Sequence, residues 1–298
     1  MPVKAAETTE FRGLSIRQVV DLNAKLQSPE ISTRTVNKYL SMLGAFCDWL
    51  AKHGYLETNP VNGLLTTQDR DAQRVFPYST DQLNALFASP LFTGCRSQEE
   101  LHLPGNLRVD DHQKWLPLVA LFSGARLGEI AQLLNSDIRE EHGHWILHIT
   151  REGGKTTKTK GSQRVVPVHH TLVSLGFIDY MQRMKRAGES RLFPNIVDDA
   201  RSQIAGAYSR SYGRYLAKIG IKIGRGLNFH SFRHTFVDAL RRGGYPDEAF
   251  GFLLGHTQAT TTGRYGILAE GPLKERVKLI EAVGYPGLSV LHLSSNIP

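Results

Sequence analysis

The sequence predicts a mainly α, α+β protein, with a small helical N-terminal domain and a larger mixed α/β domain built around a small antiparallel sheet. Three observations predict it. Apolar residues recur at helical spacing through most of the chain. Two short runs rich in large and β-branched residues, Trp145 to Ile149 and Gln163 to Val168, read as strands. The polar, patternless stretch Thr66 to Arg74 reads as a linker, so the domains are expected at residues 1–70 and 71–298.

The elements follow in order. Ser15 to Leu26 carries Ile16, Val19, Val20 and Leu22 at helical spacing. A second helix is predicted from Thr33 to His53, with Val36, Leu40, Leu43, Phe46, Cys47 and Leu50 on its apolar side and Gly54 as its stop. Asn59-Pro60 forces a turn. Ser79 with Gln82 three residues on is a capping box that starts the next helix. Gly94 to Asp111 is polar, broken by Pro104 and Gly105, and reads as a loop. Trp115 to Leu134 reads as a buried helix interrupted at Ser123 to Arg126. The two strands are separated by the basic run Arg151 to Gly161. Helices are predicted over Leu172 to Ala187, Ser202 to Ile219, Ser231 to Arg242, Asp247 to Leu254 and Leu273 to Ala282, and the tail after Gly284 has no strong pattern. Trp49, Trp115 and Trp145 are expected in the core.

Composition narrows the class. The 298 residues suffice for two ordinary cores, and no apolar run approaches the roughly 20 residues that span a bilayer. The N-terminus lacks the apolar stretch of a secretory signal, and the only cysteines are Cys47 and Cys95, which fits a cytoplasmic compartment. Thirty-six basic against 28 acidic residues point to a polyanionic partner. Up to Arg74 the two signs nearly balance, so the excess lies beyond it.

The residues able to do chemistry suit phosphodiester transfer. Negative charge moves onto the equatorial oxygens of the reacting phosphate, and the arginine fork matches two of them. A nucleophile must sit in line with the leaving oxygen, and an acid must protonate that oxygen. Arg126 lies between Gly124 and Gly128, where backbone can approach a ligand, with Glu129 close by. His230 and Arg233 stand three apart at a helix start, and His256 follows the helix-ending Gly255. Tyr265 comes nine residues after His256. The run Lys155 to Lys160 could supply the acid. His230 and His234 have zinc-like spacing, but Ser231 stands where a metalloprotease needs Glu, so no metal is expected.

Taken together these boxes resemble the tyrosine recombinase, or phage integrase, signature: an arginine box with glutamate, a hairpin lysine, His-x-x-Arg, then Leu-Gly-His with tyrosine nine residues later, all in family order from about Pro77 to Glu270. The first domain, with Thr35, Asn37, Tyr39, Leu40, Phe46 and Trp49, is similar to the family's core-binding domain. The resemblance implies a C-shaped clamp on double-stranded DNA and site-specific cleavage and rejoining without metal, ATP or cofactor. Arg126 and Arg233 would hold the scissile phosphate, and Tyr265 would attack it, leaving a 3′-phosphotyrosyl link. His230 and His256 would bind the phosphate or move the tyrosine proton, and Glu129 would support the site. Lys158 would be the general acid, with Lys160 as the alternative. The resemblance also implies a homotetramer on two DNA sites, with Leu273 to Pro298 as the segment passed between neighbours, accessory directionality factors, and a bacterial or phage setting in the cytoplasm. Many members carry a further N-terminal arm-binding domain; here only a short polar lead precedes Ser15. The same chemistry serves type IB topoisomerases, and a non-catalytic DNA-binding protein is the other alternative.

Overall fold

The computed structural model describes residues 2, 3, 5, 8–67, 75–156, 162–196, 204, 206–222, 226–256 and 269–294. The chain divides into two compact units, Met1–Arg74 and Val75–Pro298. In the first, helix α1 (Ile16–Leu26) starts where Ser15 accepts a hydrogen bond from the Gln18 backbone and the Gln18 side chain accepts one in return. Helix α2 (Thr33–Lys52) is capped by Ser32. Few residues of this unit are buried, and polar ties do much of the holding. Asn37 of α2 exchanges hydrogen bonds with the Thr66 backbone, and Asn59 donates to Gly44 O at 3.0 Å while accepting from Val61 N. Cys47 is buried and unpaired, as expected. Trp49 departs from expectation. It is 49% exposed and stacks with Phe46 and Tyr55, because the helix turns its buried side to Asn37 and Cys47.

The second unit opens with α3 (Thr80–Phe87), started by the expected Ser79–Gln82 box, and a short α4 (Pro90–Thr93). The predicted loop Gly94 to Asp111 is tied internally: Cys95 and Leu107 exchange backbone hydrogen bonds, and Gly105 N donates to Gly94 O. Helix α5 (His112–Ser123) is buried nearly all round, with Trp115 at its heart. It ends at Gly124, and α6 (Leu127–Ala131) follows. The sheet has three antiparallel strands in the order β1 (Ile138–Glu141), β2 (His144–Ile149), β3 (Arg164–Pro167). A two-residue turn, His142-Gly143, joins β1 to β2 with positive φ at both positions. Ile138 pairs with Leu147, and Leu147 with Val166.

Leu172 to Ala187 is two helices, not one: α7 (His170–Ser174) and α8 (Phe177–Arg186), broken at Gly176 with φ +90°. After α9 (Gly206–Lys218), helix α10 (Ser231–Arg242) packs along α5, followed by α11 (Asp247–Phe250) and a 3-10 turn, Gly251–Leu254. Helix α12 (Glu270–Glu281) lies on β3, where Leu273 meets Ile146 and Val165 and Arg276 donates to Val165 O at 2.6 Å. The patternless tail is nonetheless anchored. Tyr285 donates to Leu121 O, Asn84 to Gly287 O and Ser294 to Ser174 O, and Val290 and Leu293 are buried. Residues 269–294 thus lie on their own unit. No helix among the described residues is long and apolar enough to cross a membrane.

Candidate active site

Arg126 is the N-cap residue of α6, and Glu129 is the third residue of that helix. Oε2 of Glu129 accepts from the Arg126 backbone at 2.9 Å, and Oε1 accepts from the Arg126 guanidinium at 2.8 Å. Arg164, opening β3, donates to the same carboxylate at 2.7 Å. Burial alone would raise the Glu129 carboxyl, which is 5% exposed, but Arg164 and then Arg126 hold it at about 2. Glu129 is therefore an anion across the physiological range.

Arg233 points inward from the first turn of α10 and is 6% exposed. It donates to Gly124 O at 2.8 Å, to Leu254 O at 2.6 Å and to His256 Nε2 at 3.2 Å. Among the described residues no carboxylate pairs with it. Burial, with the charges of Arg126 and Arg164, pulls its guanidinium down to about 9, so it stays cationic at neutral pH. Arg126 and Arg164 thus share one carboxylate, while Arg233 beside them pairs with none among the described residues. Arginine has no acceptor, so Nε2 of His256 is the unprotonated nitrogen and the ring proton sits on Nδ1. Burial and the charges of Arg233, Arg126 and Arg164 lower the His256 pKa, leaving the exposed ring neutral at neutral pH.

Gly124 serves a different purpose from the one its neighbourhood suggests. Its φ is +63°, and a Cβ there would stand 2.6 Å from the Phe236 ring, so α10 packing demands it, not a ligand. At Gly128 the nearest atom to such a Cβ is Ile204 Cγ2, at 3.9 Å. His230 is exposed at the start of α10 with its ring edge-on to His234, 5.1 Å between centroids. Among the described residues, the grouping with metal-ligand spacing is His169, His170 and Glu281. It does not suit a cation, because His169 spends one nitrogen on Thr171 N and the other on Val283 O.

Tyr265, Lys158 and Lys160 lie outside the described residues. The arms that lead to the lysines are described. Lys155 is buried against Asp137, 2.5 Å from its carboxylate, and Thr156 exchanges two hydrogen bonds with Gln132. Lys155 is thus an anchor of the run and not a free acid. Lys155→Met should destabilise the protein by about 3–5 kcal/mol, because Asp137 is left charged and buried. Denaturant melts should show Lys155→Met/Asp137→Asn recovering most of that loss. Equal loss in the single and double variants would refute the pairing.

Residues 108–270, more than half of the chain, match the phage integrase family. The chain is 27% identical over 179 residues to the tyrosine recombinase XerA of Pyrococcus horikoshii, a stretch covering 59% of this chain and 58%, little more than half, of that relative. It is 26% identical over 259 residues to XerC of Neisseria meningitidis serogroup C, covering 85% of this chain and 75% of XerC. The integrase of transposon Tn1549, solved in complex with transposon right end DNA, shares the fold with a TM-score of 0.53 at 16% identity, over 92% of this chain and 89% of that one.

Proposed function

The chain belongs to the phage integrase family, the tyrosine recombinases that cut and rejoin DNA strands, and on that premise we propose a site-specific reaction carried by the residues above. The observation that carries the proposal is the charge balance: among the described residues Glu129 alone pairs with both Arg126 and Arg164, and Arg233, whose charge they feel, is buried with no anion of its own. A buried, unpaired cation is unfavourable unless an anion completes it. A DNA phosphate is the anion that fits two guanidinium forks.

Arg126 and Arg233 hold the non-bridging oxygens of that phosphate. The Tyr265 hydroxyl attacks phosphorus, and the bond to the 5′ oxygen breaks. The tyrosine proton leaves toward neutral His256, whose Nε2 exchanges Arg233 for it. Lys158, or Lys160 in its place, protonates the departing 5′ oxygen, which leaves as a hydroxyl. A 5′-hydroxyl from another strand then reverses each step, so bond energy is retained in the phosphotyrosyl link and neither ATP nor metal is needed. His230 lies beside the phosphate. Glu129 orients Arg126 by holding both its backbone and its guanidinium. Residues 1–70 act as the core-binding domain and 71–298 as the catalytic domain. The partner is double-stranded DNA carrying a specific site, and synapsis of two sites takes a homotetramer, in a bacterial or phage cytoplasm.

A nicked suicide duplex carrying the recombination site tests this. In EDTA and without ATP, the wild-type chain should become covalently attached to DNA, and peptide mapping should place the attachment on Tyr265. Attachment at another residue, or none, overturns the proposal. Recombination of paired sites without relaxation of plasmids lacking them separates this reading from a topoisomerase.

A further inference from the structure

Arg164 sits where the parts of the candidate site meet. Its Nε donates to Leu253 O at 2.6 Å, one terminal nitrogen donates to Ser162 O at 2.7 Å and the other to Glu129 Oε2 at 2.7 Å. These acceptors belong to three segments far apart in sequence. Glu129 positions Arg126, Ser162 closes the run that bears Lys158 and Lys160, and Leu253 lies in the turn that leads to His256. The adjacent carbonyl, Leu254 O, accepts from Arg233. One turn therefore holds both guanidiniums by successive carbonyls. Gly255 belongs to the same arrangement: its φ is +69°, and a Cβ there would come within 3.0 Å of the Arg164 guanidinium and 3.1 Å of Ser162 Cα. Glycine before His256 is required by Arg164 as much as by the helix end.

We propose that Arg164 is the positioning residue of this site, one planar guanidinium that keeps Arg126, Ser162 at the entry to β3 and His256 in register with Arg233. It is 4% exposed and directs all three of its nitrogens at protein acceptors, so it acts through its neighbours and not on DNA. Arginine alone fits the task, since its donors lie in one rigid plane, whereas a lysine ammonium is a point charge. The inference rests on the proposed strand-cleaving function for its activity readout, but its geometric content does not.

Arg164→Gln tests it. Displacements of about 1 Å among reacting groups lower rates about a hundredfold, and the cleavage rate on saturating suicide DNA should fall by that order. DNA affinity should stay within about threefold, and the slope of log affinity against log salt should not change by the unit that a lost phosphate contact removes. Glu129 would lose its first partner while remaining buried, with Arg126 beside it and Arg233 as the next charged neighbour. Its pKa then rises. Because ionised Glu129 is what holds Arg126, cleavage in the variant begins to fall at a higher pH than in the wild type, whose own acid limb is set by protonation of His256. Arg164→Lys should restore a low Glu129 pKa and only part of the rate.

NMR titration of labelled glutamate, without DNA, reads Glu129 directly. If Glu129 still titrates near 2 in Arg164→Gln, or if the variant loses DNA affinity and salt slope in step with rate, the inference is overturned. If wild type forms no adduct while Glu129 responds as described, the proposed function fails and the positioning of Arg126 by Arg164 stands. Should Arg164→Gln not unfold cooperatively, Arg164→Lys carries the same measurements. A wild-type rate in Arg164→Lys would also overturn the inference, since charge alone would then suffice.

Discussion

Tyr265→Phe is expected to abolish covalent attachment to the suicide duplex while leaving non-covalent binding of the intact site unchanged. The substitution removes one oxygen and keeps the ring, so the loss isolates the nucleophile from packing. Six other tyrosines of the second unit are poorly suited to the task. Burial raises the hydroxyl pKa of Tyr78, Tyr180, Tyr208, Tyr212, Tyr215 and Tyr285. Most of these hydroxyls are also committed, Tyr180 to Leu192 O, Tyr285 to Leu121 O, and Tyr215 to Ser89. A nucleophile must shed its proton toward a base, which burial of these hydroxyls opposes. Tyr265 is tethered nine residues from His256, and nine residues span at most about 30 Å, ample for its hydroxyl to come to a phosphate held by Arg233. An adduct that persists in Tyr265→Phe would mean that another side chain attacks.

Much of this site is legible in the sequence because its members stand in short boxes. Arg126 with Glu129, His230 with Arg233, and Gly255 with His256 are local patterns, and the structure brings Arg126, Glu129, Arg233 and His256 to one turn: Arg126 and Glu129 are tied through Arg164 to Leu253 O, and His256 through Arg233 to the adjacent Leu254 O. Helix starts are equally local: Ser15 and Ser79 cap as their capping boxes require. What escapes is non-local. Arg164 looks like a polar residue opening a strand, and its importance comes from acceptors 35 and 89 residues away. Its one signal is an arginine beside Val165 and Val166 where every strand residue is buried. Lys155 reads as one of several surface lysines until Asp137, 18 residues earlier, is found beneath it. Strand β1 hides because Arg139, Glu140 and Glu141 mask Ile138, its one apolar residue, a composition that suits a sheet edge. Trp49 misleads because apolar periodicity says that a helix has a face, not that another element covers it.

Arg233→Gln should lower the cleavage rate by about a thousandfold, the scale on which removing one donor to a transition-state charge acts, and its response to sulfate should set it apart from an ordinary core substitution. Three of the five N–H groups of Arg233 go to Gly124 O, Leu254 O and His256 Nε2, leaving two without an acceptor among the described residues. Those two, with the bond to His256 available for exchange, are what a phosphate would engage. The depressed pKa gives the corresponding stability statement. A basic group whose folded pKa falls well below its ordinary value, to about 9, disfavours the folded chain wherever it is protonated, hence throughout neutral pH, and that penalty fades only as pH rises past about 9. Sulfate, a tetrahedral dianion, should relieve it and raise the wild-type Tm. In Arg233→Gln the charge is gone and that sulfate-dependent gain should largely disappear, even though Gly124 O and Leu254 O lose donors and the baseline Tm falls. DNA affinity should drop only modestly, since one phosphate among many is lost, and the salt slope should decrease by about one. Equal stabilisation of both proteins by sulfate would place the anion site elsewhere. A cleavage rate within about tenfold of wild type would remove Arg233 from the transition state altogether.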